Sequence, residues 1–176
     1  MNKYNLKEFL QSELADHASS FKETSYDNEN GEYLCKDTAT PDVYDFDRYI
    51  EKQFHGQQLP ASPDAIHLGK KQLYFVEFKN QRLSNIDNAG IGRKFTRGTE
   101  ILQGMLSDFT PRDWQRTFCV VFKKDSRPVF FDSRHFEKSK VRFNLDGLNS
   151  ELGNFYDKIL TEDINFYSEQ FRQLKC

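Results

Sequence analysis

Cysteine is scarce in this chain, and the three present, Cys35, Cys119 and Cys176, include no C-x-x-C pair. An odd number at such spacings indicates neither a disulfide framework nor a zinc site. The expectation is a cytoplasmic protein with reduced thiols, Cys119 filling a small core position within Thr117-Phe118-Cys119-Val120-Val121-Phe122. No run of about eighteen apolar residues exists, so no membrane-spanning helix is expected. The opening Met1-Asn2-Lys3-Tyr4-Asn5-Leu6-Lys7 lacks the apolar stretch of a secretory signal. A G-x-x-x-x-G-K-[ST] phosphate loop is also missing, which argues against nucleotide hydrolysis. His17, His55, His67 and His135 are scattered and form no catalytic or zinc set, although His67 is expected to point outward beside the strand pair described below.

Bulk comes instead from 17 Phe and 8 Tyr, against two Met and one Trp. Their spacing is core spacing, so it makes no case for base stacking. At 176 residues, with 37% hydrophobic and 30% charged, the chain suits one domain spanning residues 1–176. The formal charge of −2 conceals an asymmetry. Residues 1–64 hold 6 Lys/Arg and 13 Asp/Glu, whereas residues 79–142 hold 14 and 7. A basic second half is what a phosphate backbone favours, although two oppositely charged halves also suit each other within one fold.

Hydrophobic spacing predicts a helix over residues 3–21 from Leu6, Phe9, Leu10, Leu14 and Phe21, then a loop from Thr24 to Thr40. Pro41-Asp42 is expected to open a second helix, buried along Val43, Phe46, Ile50 and Phe54 and ended by Gly56. A hairpin follows at about residues 64–80. The next helix starts near Ser84-Asn85-Ile86-Asp87, is loosened by glycines at 90, 92, 98 and 104, and ends at Pro111. Arg116–Lys123 reads as a strand with an antiparallel partner at Arg127–Phe131, and one or two helices are expected from Leu148 onward. This order predicts an α+β fold, a mixed sheet flanked by helices.

The hairpin carries the most informative residues. Leu73-Tyr74-Phe75-Val76-Glu77-Phe78-Lys79 has the β-branched and aromatic content of a strand. Alternation puts Leu73, Phe75, Glu77 and Lys79 on one face and Tyr74, Val76 and Phe78 on the other. Apolar residues on both faces mean an interior strand, where a charge is costly unless paired or bound to a metal. If Asp64, at the start of the preceding strand, closes on Glu77 and Lys79, two carboxylates and an ammonium converge. Such a set suits a divalent cation and an attacking water.

Pro63-Asp64 followed by Glu77-x-Lys79 resembles the PD-(D/E)xK nuclease superfamily, in which Pro-Asp begins one strand and Glu-x-Lys ends the next. No other lysine here has an acidic residue two places before it. The resemblance covers about residues 42–131, with helical additions at 1–40 and 145–176. It implies a restriction-endonuclease-like αβββαβ core, whose remaining strand is sought in Gly31–Lys36 or Phe130–Ser133. It also implies a Mg²⁺-dependent phosphodiesterase, Mn²⁺ substituting, with nucleic acid as substrate and DNA ahead of RNA. Asp64, Glu77 and the Phe78 carbonyl would hold the metal, and Lys79 would orient the water or stabilise the developing charge.

Members of the superfamily often add a carboxylate from the preceding helix. Glu51 is preferred here, with Asp47 and Glu32 as alternatives. Gln81 shares the face of Lys79 if the strand continues, and is a weaker active-site candidate. Arg93, Lys94 and Arg97 can form one cationic helix edge for phosphates, or simply a solvated face. A chain that is little more than a catalytic core leaves target choice to a partner protein, to homodimerisation or to nucleic-acid shape. The rival expectation is a nuclease-like fold that serves as a protein-binding module.

Overall fold

The computed structural model describes residues 5–109, 113–124, 142–172 and 174–176. Its centre is a five-stranded mixed sheet of β3 (Val43–Asp45), β4 (Ala65–Leu68), β5 (Gln72–Arg82), β6 (Gln115–Lys123) and β7 (Lys158–Asp163), in that order. The first three strands run antiparallel, and β5, β6 and β7 are parallel. A separate two-stranded ribbon pairs β1 (Tyr26–Asp27) with β2 (Glu32–Tyr33). The α+β expectation is borne out.

Side-chain alternation on β5 sorts the core into two layers. Leu73 and Phe75 pack with residues of α1 (Leu6–Glu13), α3 (Phe46–Gln53), α4 (Asn88–Met105) and α5 (Leu145–Glu151). Tyr74, Val76 and Phe78 pack on the other side with Phe21 of α2 (Phe21–Thr24) and Tyr167 of α6 (Ile164–Glu169). Helices therefore cover both faces, as the two-faced apolar pattern of β5 requires.

Several boundaries differ from expectation. The single helix over 3–21 is broken into α1, a short 3₁₀ turn at Ala15–His17 and α2. Ala18 bridges to Tyr44, the Ser19 N–H donates to the Val43 carbonyl at 2.8 Å, and the Ser20 hydroxyl caps α2. The helix expected from Pro41-Asp42 begins as strand β3 instead. Asp42 turns the chain at φ 53°, Val43 and Tyr44 pair with β4, and Asp45 caps α3 by accepting from the Arg48 N–H at 3.0 Å. The third antiparallel strand of the main sheet is thus β3, whereas Glu32–Tyr33, in the Gly31–Lys36 stretch where a strand was sought, sits in the ribbon. The expected strand ends at Phe130–Ser133 and Arg127–Phe131, and Pro111, lie outside the described residues.

The C-terminal region holds a further correction. Ile159, within the stretch from Leu148 onward where helices are expected, belongs to β7, parallel to β6. Cys35 and Cys176 form a disulfide, contrary to the expectation of reduced thiols, while Cys119 is free and buried as expected. No helix among the described residues is long and apolar enough to cross a membrane.

Candidate active site

Asp64 immediately precedes β4, one step beyond the last β4–β5 pair, Ala65 with Val76. Its carboxylate reaches across to β5, where Oδ2 accepts from the Phe78 N–H at 2.6 Å. A strand residue turns its N–H and C=O to the same side, so the Phe78 carbonyl is directed toward Asp64 as well. Glu77 is fully buried on the face of Leu73 and Phe75. Its Oε1 lies 2.9 Å from Lys79 Nζ, an ion pair within the Glu-x-Lys motif.

The centre of the cluster is occupied by Lys94, from the second turn of α4. Its Nζ stands 3.2 Å from Asp64 Oδ1 and 3.0 Å from Glu77. Two oxygens bound to one nitrogen at these lengths are at most about 6 Å apart, little more than the roughly 4–5 Å that one cation spans between two oxygens at about 2.0–2.6 Å each. The structure separates Lys94 from Arg93 and Arg97, against the expectation of one cationic edge. Successive helix residues point about 100° apart. Lys94 faces inward, while Arg93 pairs with Asp87 at 3.4 Å and Arg97 with Glu100 at 2.9 Å on the exposed side.

The helix carboxylate beside this cluster is Asp47. The Phe46 N–H donates to the Asp64 carbonyl at 3.0 Å, pinning the first turn of α3 to the site. Asp47 follows directly and its Oδ1 accepts from the Ser62 hydroxyl at 2.5 Å. Burial, and then the negative charge of Asp64, push the Asp47 carboxyl up to about 7. Glu51, the preferred candidate, is exposed on the last turns of α3. Glu32 is exposed as well and pairs with Lys123 and Asn80. Gln81 is exposed, and the β5–β6 register shifts between Lys79 and Arg82, so simple alternation does not carry Gln81 back to the face of Lys79. His67 is buried in the opposite layer against Tyr74 and Phe21, so it does not point outward beside the site.

Electrostatics follow from burial. Desolvation, then the Asp64 charge, raise Glu77 to about 7 despite both lysines. Lys94 behaves oppositely. Burial works to neutralise it, but Asp64, Glu77 and Asp47 together outweigh that and hold its ammonium more firmly than usual. Three carboxylates thus face two ammonium groups. The edge of the cluster is open to water, with side-chain exposures of 16% for Asp64, 24% for Lys94 and 28% for Lys79.

Among the described residues no three His, Cys, Asp or Glu side chains are grouped to hold a metal ion by themselves. A Mg²⁺ site asks for less, since this ion keeps several waters and takes one or two carboxylates. One observation fits it. Glu77 Oε1 is buried and, although close to ammonium nitrogens, receives no hydrogen bond of proper geometry. A buried anionic oxygen without a directed donor suits a hard cation. No protein-family model, curated protein or solved structure matches this chain.

Proposed function

We propose that this chain is a divalent-metal-dependent nuclease that hydrolyses phosphodiester bonds in nucleic acid, with DNA as the first candidate substrate. The carrying observation is the convergence of Asp64 and Lys79 on the buried Glu77 at the end of the β4–β5 pair. The order α1, β3, β4, β5, α4, β6 supports it, being the αβββαβ sequence that the resemblance implies, with α2 and the β1–β2 ribbon inserted after α1 and α3 inserted after β3.

Asp64, Glu77 and the Phe78 carbonyl are the oxygens that would hold Mg²⁺ or Mn²⁺. The ion would supply a water of lowered pKa and neutralise charge on the phosphate. The protein's own groups have distinct tasks. Phe78 N–H fixes the Asp64 carboxylate, so that its second oxygen faces the cluster. Lys79, held by Glu77 at the open edge, is placed to orient a water or to stabilise negative charge developing on a phosphate oxygen. Asp47, held by Ser62, keeps a proton in part near neutral pH beside Asp64.

A second reading is favoured by the same ion pairs. Two ammonium groups already satisfy much of the carboxylate charge, as in a structural cluster within a protein-binding module. Calorimetry with Mn²⁺ separates the two. The nuclease reading expects binding that disappears in Asp64→Ala and in Glu77→Ala, and cleavage of DNA or RNA that stops with EDTA. A wild-type protein that neither binds Mn²⁺ nor cleaves duplex, branched or single-stranded substrates returns the chain to the binding module.

A further inference from the structure

Resting on the metal-site reading above, we infer that Lys94 is a built-in competitor for the divalent cation, its ammonium holding the ion's place until the ion displaces it. The argument begins with position. Among the described residues Lys94 Nζ is the one cationic atom within 3.2 Å of both Asp64 and Glu77, whereas Lys79 pairs with Glu77 at 2.9 Å. These are the two side-chain oxygens groups assigned to the metal, so ion and ammonium cannot share them at full contact. A divalent ion coordinates oxygen at about 2.0–2.6 Å. An ammonium at 3.0–3.2 Å from the same carboxylates would sit almost on top of it. Two positive centres at that separation repel strongly in a site with little water.

Lys94 differs from an ordinary structural counter-ion in its freedom to leave. Its side chain is 24% exposed, so it has a solvent-facing side, and a lysine stem is flexible. Glu77, by contrast, has no exposed surface and must have a cation beside it to remain charged. The fold supplies one cation from Lys79 and a second, exchangeable one from Lys94. Arg93 and Arg97 cannot take that place, being turned outward to Asp87 and Glu100. A purely structural lysine predicts a looser site and weaker metal binding when it is removed. A competitor predicts the reverse.

The test is Mn²⁺ titration calorimetry on the full chain with Lys94→Gln, and with Lys79→Gln as the comparison. Lys94→Gln is expected to tighten Mn²⁺ about tenfold or more, the effect of removing a competitor worth about 1.4 kcal/mol or more, and Lys79→Gln to tighten it less. Equal or weaker affinity in Lys94→Gln overturns the inference while leaving the metal site in place. Absence of binding in wild type and variant alike overturns the metal site itself, and this inference with it. A second measurement needs no variant. Amine acetylation read by peptide mass spectrometry should label Lys94 several-fold more when saturating Mg²⁺ is added to the wild-type protein. Unchanged labelling at a Mg²⁺ concentration that calorimetry shows to be saturating also overturns it.

Discussion

Gly98 of α4 lies directly against the ring of Pro63, and a Cβ at this position would collide with the proline Cδ and press on Phe75. Lys94 and Gly98 are four residues apart and share a helix face. The missing side chain therefore lets α4 approach close enough for Lys94 to reach Asp64, the residue after Pro63. Gly98→Ala is expected to destabilise the fold by about 1–3 kcal/mol, as overpacking does. Denaturant unfolding checks this, and Gly104→Ala, which meets nothing within 4 Å, is the control.

Within the Pro-Asp and Glu-x-Lys residues, ligand loss and rate loss should separate. Asp64→Ala and Glu77→Ala should abolish metal binding and cleavage together. Lys79→Ala should keep metal binding while lowering the cleavage rate roughly 10²–10³-fold, the usual cost of removing a group that stabilises developing charge. Single-turnover cleavage beside Mn²⁺ calorimetry reads both effects.

Asp47 makes the metal-free protein sensitive to pH. Its carboxyl ordinarily titrates at 3.8 and is raised to about 7 in the fold by burial and by Asp64. Between those values the folded state holds a proton that the unfolded state has released, so this contribution to stability falls as pH rises. Above about 7 the full cost is present, on the order of a few kcal/mol. Asp47→Asn keeps an acceptor for Ser62 and removes the titration. Urea unfolding in EDTA from about pH 5 to about pH 8 should show the variant gaining on wild type as pH rises.

Arg93 and Arg97 are the residues left on the exposed edge of α4 once Lys94 is turned inward. If that edge contacts nucleic-acid backbone, the double alanine variant should weaken binding and reduce the slope of log affinity against log salt by roughly two. Fluorescence anisotropy over a salt series measures it. An unchanged slope makes these arginines a solvated helix face.

The Cys35–Cys176 link joins positions 141 residues apart. Closing so long a loop restricts the unfolded chain, and its loss typically costs about 2–5 kcal/mol. Cys176→Ser, or a reductant, should therefore lower the melting temperature by about 5–15 °C. Intact-mass analysis after alkylation under denaturing, non-reducing conditions should show one modified thiol, that of Cys119.

Periodicity carried the long elements. The two-faced run from Leu73 to Phe78 assigns both core layers correctly, and Asp87 caps α4 where the Ser84–Asp87 segment suggested a start. The short elements were not legible. Val43–Asp45 and Ile159 fit a helical stripe as well as a strand, because a few apolar residues satisfy either period. They became strands because β4 and β6 present open ladders beside them.

The sequence by itself determined which residues are costly to bury. Glu77 within a run of Phe, Tyr and Val demands a counter-charge, and Pro63-Asp64 with Glu77-x-Lys79 announces where the partners begin. Only the tertiary structure decided which partners answer. Lys94 looked like one of three equivalent cations, and Asp47 like a lesser choice than Glu51, since helix spacing alone does not say which way a face turns. Packing of Gly98 on Pro63 and the hydrogen bond from Phe46 to Asp64 orient α4 and α3 toward β5. Those contacts join segments distant in the chain, and it is their geometry that selects Lys94 and Asp47.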